Sequence, residues 1–213
     1  EVLRRLAGGE YGGELHIDAQ GIFIRRVLPS WLARLRRRHA EIRVHLHEMK
    51  SHSVERLRRG EADLVVAWLP ELPSDIAAQQ IATVRAFLVA PSGHAAMRRK
   101  KTDFGALREE TFIGFGPQHF AHPMQRSALR ELALEPEHSI SVDDNETILG
   151  YVEAGLGYSL VPSLDPNGPK GRRLIARPAK LRTSEFPVYA AWRRDAGENP
   201  LLDAAIETAP QGA

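Results

Sequence analysis

Two rhythms of apolar positions alternate along the chain, short runs with a period of two and longer stretches with a period near 3.6. Their succession predicts an α/β fold. Residues 15–17 (LHI) predict a first strand, and a helix follows over 22–39. Its apolar positions Ile24, Val27, Leu28, Trp31, Leu32 and Leu35 form one stripe, with Pro29 marking a kink or an early boundary. RVHLHE at 43–48 alternates as a second strand. Ser51 to Arg59 predicts a short helix capped by Ser51 or Ser53 at one end and Gly60 at the other. ADLVVAW at 62–68 is apolar without alternation, as a strand buried on both faces requires. The order β-α-β-α-β points to a doubly wound sheet.

After the proline-bearing loop 69–75, two extended stretches are expected, Ile76–Ile81 and Ala86–Val89. The α/β pattern then restarts with strand 111–115, helix Gln125–Leu134, strand 138–142 and helix Glu146–Ala154. Asp143 with Glu146 fits a capping box. Gly155 and Gly157 stop that helix and turn the chain into strand 158–161. Residues 165–173 are a turn-rich loop, 187–192 a late strand and Pro200–Ile206 a last helix. At the start, Leu3 and Leu6 suggest the last turn of a helix that leads into 1–13 as a connector.

Composition narrows the function. Charged residues are 26% of 213, and 29 Lys and Arg stand against 27 Asp and Glu, a formal net charge of +2. A dedicated nucleic-acid binder concentrates far more positive charge. The absence of cysteine removes disulfides and thiolate metal sites and suits a reducing cytosol. No apolar run reaches the ~18 residues needed to span a bilayer, so no membrane partner is expected and the location read is cytoplasmic.

Catalytic and cofactor motifs fail on context. Gly155-Leu156-Gly157 lacks a third glycine and leads from helix to strand, the reverse of a dinucleotide fingerprint. Neither GxSxG nor GxxxxGK[ST] occurs, and no nucleophile stands out, so no enzyme, no catalytic residue and no cofactor is read. His45 and His47 share a strand face and His119 and His122 lie three apart, but no cysteine supports them. No metal site is therefore assigned.

Three segments together carry a resemblance. They are GELHIDAQGIFIRRVLPSWLARLRRRHAEIRVHLHE from residue 13, VERLRRGEADLVVAW at 54–68, and DDNETILGYVEAGLGYSLVPSL at 143–164. Together they resemble the effector-binding domain of LysR-type transcriptional regulators. That resemblance implies a fold similar to type 2 periplasmic binding proteins: two doubly wound lobes joined by two crossover strands, with a ligand cleft between them. Lobe I is expected over 14–87 with 187–213 and lobe II over 88–186, residues 1–13 being the end of a linker helix. It also implies a homodimer or tetramer through the effector domain, with the Arg-rich helix 22–39 at the interface. Promoter DNA would be bound only by an N-terminal winged helix-turn-helix absent from this chain.

In such a fold ligands sit beyond the carboxyl ends of strands, where helix N-termini favour anions. The positions expected to bind the effector are Ala19, Gln20 and Gly21, then Ser51, His52 and Ser53 in lobe I. In lobe II they are Gly116, Gln118, Phe120 and Asn145. Where the family often places a small hydroxyl residue after the first strand, this chain has Asp18-Ala19-Gln20-Gly21. The expected effector is a small carboxylate-bearing metabolite. The competing readings are a periplasmic solute-binding protein and a two-lobed α/β enzyme. A signal peptide would mark the first, converging catalytic groups the second.

Overall fold

The structure, a computed structural model, describes residues 4–5, 11–98 and 101–212. The chain divides into two compact units, Glu1–Thr83 with Pro187–Ala213, and Val84–Phe186. The divisions fall inside two strands, β5 (Ile76–Pro91) and β10 (Glu185–Arg193). The two extended stretches expected at 76–81 and 86–89 are thus one continuous strand.

In unit one, β2 (Tyr11–Ala19) lies parallel to β3 (Ile42–Glu48) and to β4 (Leu64–Trp68), and β10 runs antiparallel to β4. Period-two alternation sends Leu15 and Ile17 of β2 inward, both at most 1% exposed. The expected long helix is two, α1 (Gly21–Arg26) and α2 (Leu28–Arg38), broken at Val27 with Pro29 in the first turn of α2. Proline fits there because first-turn N–H groups have no partner within the helix. α6 (Pro200–Glu207) packs on α2, and the buried Trp31 indole N–H donates to Ala205 O at 2.8 Å. The other sheet face is closed by Met49, Val54, Leu57, Val65 and Ala67, which cluster with α3 (Glu55–Arg58).

Two expectations in unit one are corrected. α3 has four residues, not nine, and its N-cap is Val54 rather than Ser51 or Ser53. Both serines instead close small turns: Ser51 Oγ accepts from Ser53 N and Ser53 Oγ from Glu55 N. Where a helical end was expected before residue 13, β1 (Arg4–Arg5) pairs antiparallel with Tyr11–Gly12; Leu3 and Leu6 lie outside the described residues. A lone turn makes too few hydrogen bonds to hold itself, whereas two residues of backbone can pair with the open end of β2.

In unit two, β6 (Phe112–Phe115) is parallel to β7 (Ser139–Val142), and Phe112 bridges to Tyr158 just before β8 (Ser159–Ser163). Both β8 and β9 (Leu174–Pro178) run antiparallel to β5. Alternate residues of β5 serve two cores. Leu88 and Ala90 join Leu107, Leu129 and Tyr158, while Phe87 and Val89 join Ile113, Ile148 and Val152. α4 (His122–Glu131) starts three residues before the expected position because Pro123 is accepted in its first turn. α5 (Asn145–Glu153) is capped by Asp144, whose carboxylate accepts from the Thr147 N–H at 2.9 Å and from the Thr147 hydroxyl. That replaces the expected Asp143–Glu146 capping box. Among the described residues no helix is long and apolar enough to cross a membrane.

Candidate functional site

At the carboxyl end of β2 the chain passes through Ala19, Gln20 and Gly21 into α1, and all three are buried. A Cβ at Gly21 would lie 2.5 Å from Glu48 Oε1, so the Glu48 carboxylate sits against this turn and would have to move aside for a side chain. Gln20 is 2% exposed and committed on both ends of its amide. Its Oε1 accepts from Trp68 N at 3.2 Å, which leaves Nε2 facing His52 Nδ1, also at 3.2 Å. That Nδ1 lies 3.1 Å from the Trp68 carbonyl as well, and the ring stands edge-on to the Trp68 indole at 4.8 Å. Unprotonated, Nδ1 accepts from Gln20; protonated, it donates to Trp68 O. Gln20 and His52 therefore form one hydrogen-bonded unit that ties β2, β4 and the loop after β3 together. Ser51 and Ser53 flank it on the exposed side.

Burial pushes the His52 imidazole below its ordinary pKa, against a smaller raising effect from the Trp68 carbonyl. A depressed folded value means the fold disfavours protonated His52. Its contribution to stability is complete above the ordinary value of ~6.5 and is lost as pH falls through the lowered one. Urea unfolding between pH 7.5 and 5 should therefore show a loss of stability on the acid side. His52→Asn should flatten that slope.

In unit two the carboxyl end of β6 is fixed by a buried glutamine. Gln125 Oε1 accepts from Phe115 N at 2.8 Å, and its Nε2 donates to Leu160 O at 2.7 Å. The segment 116–121 leaves that end with Gly116 N donating to Val142 O, so β6 and β7 stay joined beyond their last pair. Phe120 stacks on His119 at 4.3 Å, and His119 on Phe115 at 4.0 Å, a short aromatic pile. Phe120 is half-buried and Gln118 exposed. Asn145 opens α5 at 8% exposure, and its Oδ1 is buried without a hydrogen-bond partner. A buried amide oxygen in that state asks for a donor from outside the chain.

The sequence marks Gln125 only as a helix start, and gives no sign of a second feature of unit two. A cavity of about 430 Å³ is lined by Leu88, Phe104 and Leu132 on its apolar side and by Lys101, Arg177 and Lys180 on its charged side. Arg177 donates through one terminal nitrogen to Met97 O at 2.6 Å, while the other, Nη1, is buried without an acceptor. The strand bearing Arg177, β9, follows the turn-rich loop and carries no clear period in its sequence. A β-bulge-free pairing with β5 is what places it.

Residues 8–213 match the family described as LysR substrate binding domain. Over 171 residues the chain is 22% identical to a curated relative, the uncharacterized HTH-type transcriptional regulator YfeR of Shigella flexneri. The match covers 80% of this chain and 56% of the relative, so the chain spans little more than half that protein's length. Among solved structures it is similar to the BenM effector binding domain with its effector benzoate. That likeness has 23% identity, a TM-score of 0.71, and covers 92% of this chain and 89% of that one. It is also similar to the effector binding domain of QuiR in complex with shikimate, with 15% identity, a TM-score of 0.73, and coverage of 92% and 95%. These likenesses establish the fold as the α/β, periplasmic-binding-protein-like fold of type 2.

Proposed function

Since this chain belongs to the LysR substrate binding domain family, we propose that it senses a small carboxylate-bearing metabolite and passes that signal to a DNA-bound transcriptional regulator. The family match over 8–213 carries the reading. A carboxylate effector is supported by two structures of the same fold, one bound to benzoate and one to shikimate. Of the unit-one positions, the Ala19 carbonyl and the Gln20 N–H are already bonded to Met49 N and Val66 O, so the groups offered are the backbone at Gly21 and the polar side chains of Ser51, His52 and Ser53. Those offered by unit two are Gly116, Gln118, Phe120 and Asn145.

Each group suits a chemistry of its own. Backbone N–H groups at the start of a helix suit a carboxylate, the face of Phe120 suits an apolar ring, and the unpaired Asn145 Oδ1 suits a ligand hydroxyl or amide donor. Because Gln20 spends its amide on Trp68 and His52, it positions the loop rather than reading the ligand. None of these groups forms a nucleophile–base pair, and no catalytic step is assigned.

In the whole regulator, the effector acts only through its different affinity for two states of the protein. The regulator is a cytoplasmic homo-oligomer whose DNA contacts lie in a winged helix-turn-helix outside this chain. Arg36, Arg37 and Arg38 in the last turn of α2 call for acidic groups on a partner subunit.

A second location within unit two is favoured by Arg177 Nη1, a buried donor without an acceptor beside Lys101 and Lys180. Calorimetric titration with benzoate, shikimate and a small alkylamine tests both. Binding of a carboxylate that Asn145→Ala weakens supports the strand-end site. Weakening by Arg177→Gln alone moves the site to the cavity. Tight binding of the amine and none of either acid overturns the reading.

A further inference from the structure

We propose that Glu14, His16 and His45 form a site for a borderline divalent transition-metal ion, of the Zn²⁺ or Ni²⁺ kind, on the α3-side face of the β2–β3 pair. The effector reading includes none of these residues, and the sequence expectation paired His45 only with His47 and assigned no metal site. The site is built by strand register. β2 and β3 are parallel, with His16 directly opposite His45 and Glu14 opposite Arg43. The two-residue period puts Glu14 and His16 on one face of β2, and pairing brings His45 onto that same face.

The donor atoms converge. Glu14 Oε2 lies 3.8 Å from His16 Nε2 and 3.7 Å from His45 Nε2. One ligand atom from each residue falls within 4.8 Å of the other two. Ligands ~2.0–2.1 Å from a tetrahedral zinc stand ~3.4 Å apart, so each carboxylate–imidazole distance needs to close by only a few tenths of an ångström. The two imidazoles are stacked, 4.7 Å between centroids and 11° between planes, so sharing an ion requires the rings to turn until their in-plane lone pairs converge.

The surroundings fit an ion arriving from water. The His16 and His45 side chains are 45% and 52% exposed, so a fourth position is open to solvent. Arg43 holds the other Glu14 oxygen, Oε1, at 3.0 Å and leaves Oε2 turned toward the imidazoles. Below the site the strand is anchored, with Leu15 and Ile17 buried and His16 N donating to Asp63 Oδ2 at 2.8 Å. The next pair along the same face is committed elsewhere. Asp18 accepts from Arg56 Nε at 2.7 Å, and His47 Nδ1 lies 3.6 Å from Asp18.

Two imidazoles and one carboxylate select among ions. Ca²⁺ and Mg²⁺ prefer six or more oxygen ligands, and Cu(I) prefers sulfur donors, of which a chain without cysteine offers few. Imidazole suits Zn²⁺, Ni²⁺, Co²⁺ and Cu²⁺. The sequence expectation of no metal site weighed only histidines close together in the chain. His16 and His45 are separated by the whole α1–α2 crossover.

Isothermal titration of the 213-residue chain with ZnCl₂, NiCl₂ and MgCl₂ tests the proposal. The expected result is one saturable Zn²⁺ or Ni²⁺ per chain, reversed by EDTA, with no heat from Mg²⁺. His16→Gln and His45→Gln should each weaken that binding at least tenfold, and the double variant should abolish it. His47→Gln should leave it unchanged. His45 and His47 are exposed and His16 is half-buried, so unchanged thermal melts of all variants without metal would show that a loss of binding is local. Zn²⁺ binding of the same strength in the double variant, or no stoichiometric binding to the parent chain, overturns the proposal.

Discussion

Replacing Gly157 with alanine will destabilise the chain by about 3 kcal/mol or more, read as a fall of roughly 6–12 °C in Tm. Gly157 has φ +150°, in the region that side chains with a Cβ avoid, and a Cβ there would overlap the carbonyl of Thr111. The approach is close because Tyr158 N donates to that same Thr111 oxygen at 3.0 Å, the bond that starts β8 against β6. To make room, the substituted chain has to release this bond and lift Tyr158, which is fully buried in the unit-two core. The depth of that burial is also registered by the Tyr158 phenol, pushed up to about 12 by desolvation, with the charge of Glu110 adding to it.

Gly150→Ala is the matched control. It lies inside α5 with an ordinary φ and nothing within 4 Å of its added Cβ. Alanine there should stabilise by roughly 0.5–1 kcal/mol through helix propensity. Urea unfolding of both variants checks the pair. A Gly157→Ala chain as stable as the parent would show that the turn can be remade without the Thr111 contact.

The second large effect is expected at Gln125, 7% exposed and bonded to Phe115 N and Leu160 O. Gln125→Leu keeps much of the volume but strands a buried N–H and a buried C=O on two different strands. Each orphan costs ~1–3 kcal/mol, so for the two the loss should be about 2–6 kcal/mol. Gln125→Glu separates shape from chemistry. Its carboxylate can still accept from Phe115 but faces the Leu160 carbonyl with an oxygen, and only the protonated acid can donate there. The Glu variant should therefore be less stable than the parent at neutral pH and recover as pH falls toward its carboxyl pKa. Because Phe115 leads directly into 116–121, both variants should also perturb the amide resonances of Gly116 and Phe120. Parent-like stability for the Leu variant would mean that water replaces the glutamine.

Much of the architecture was legible because the relevant forces are local. The apolar stripe of 24–35 reads as helical whatever it packs against, and Pro29 locates its break. The buried run of β4 and the alternation in β3 show themselves through periodicity. What misled were signals shared by several local structures. Serine caps a helix or closes a turn with the same hydroxyl geometry, so Ser51 and Ser53 suggested a helix that begins only at Glu55. The adjacent Asp143 and Asp144 are equally good caps by composition, and only the backbone of α5 chose Asp144 with Thr147.

By itself, then, the sequence determined the α/β class, the order of most helices and strands, and the family to which the chain belongs. Those properties depend on residues within a few turns of one another, or on a pattern long enough to compare. Only the tertiary structure decided that Gln20 is spent on Trp68 and His52, that Gln125 joins two strands, that Arg177 is left with a buried free N–H, and that His16 meets His45 across a strand pair. Each joins residues from different elements, and the hydrogen-bonding capacity of a side chain carries no address. Strand register and packing supply the address, and neither is written in the neighbourhood of the residue itself.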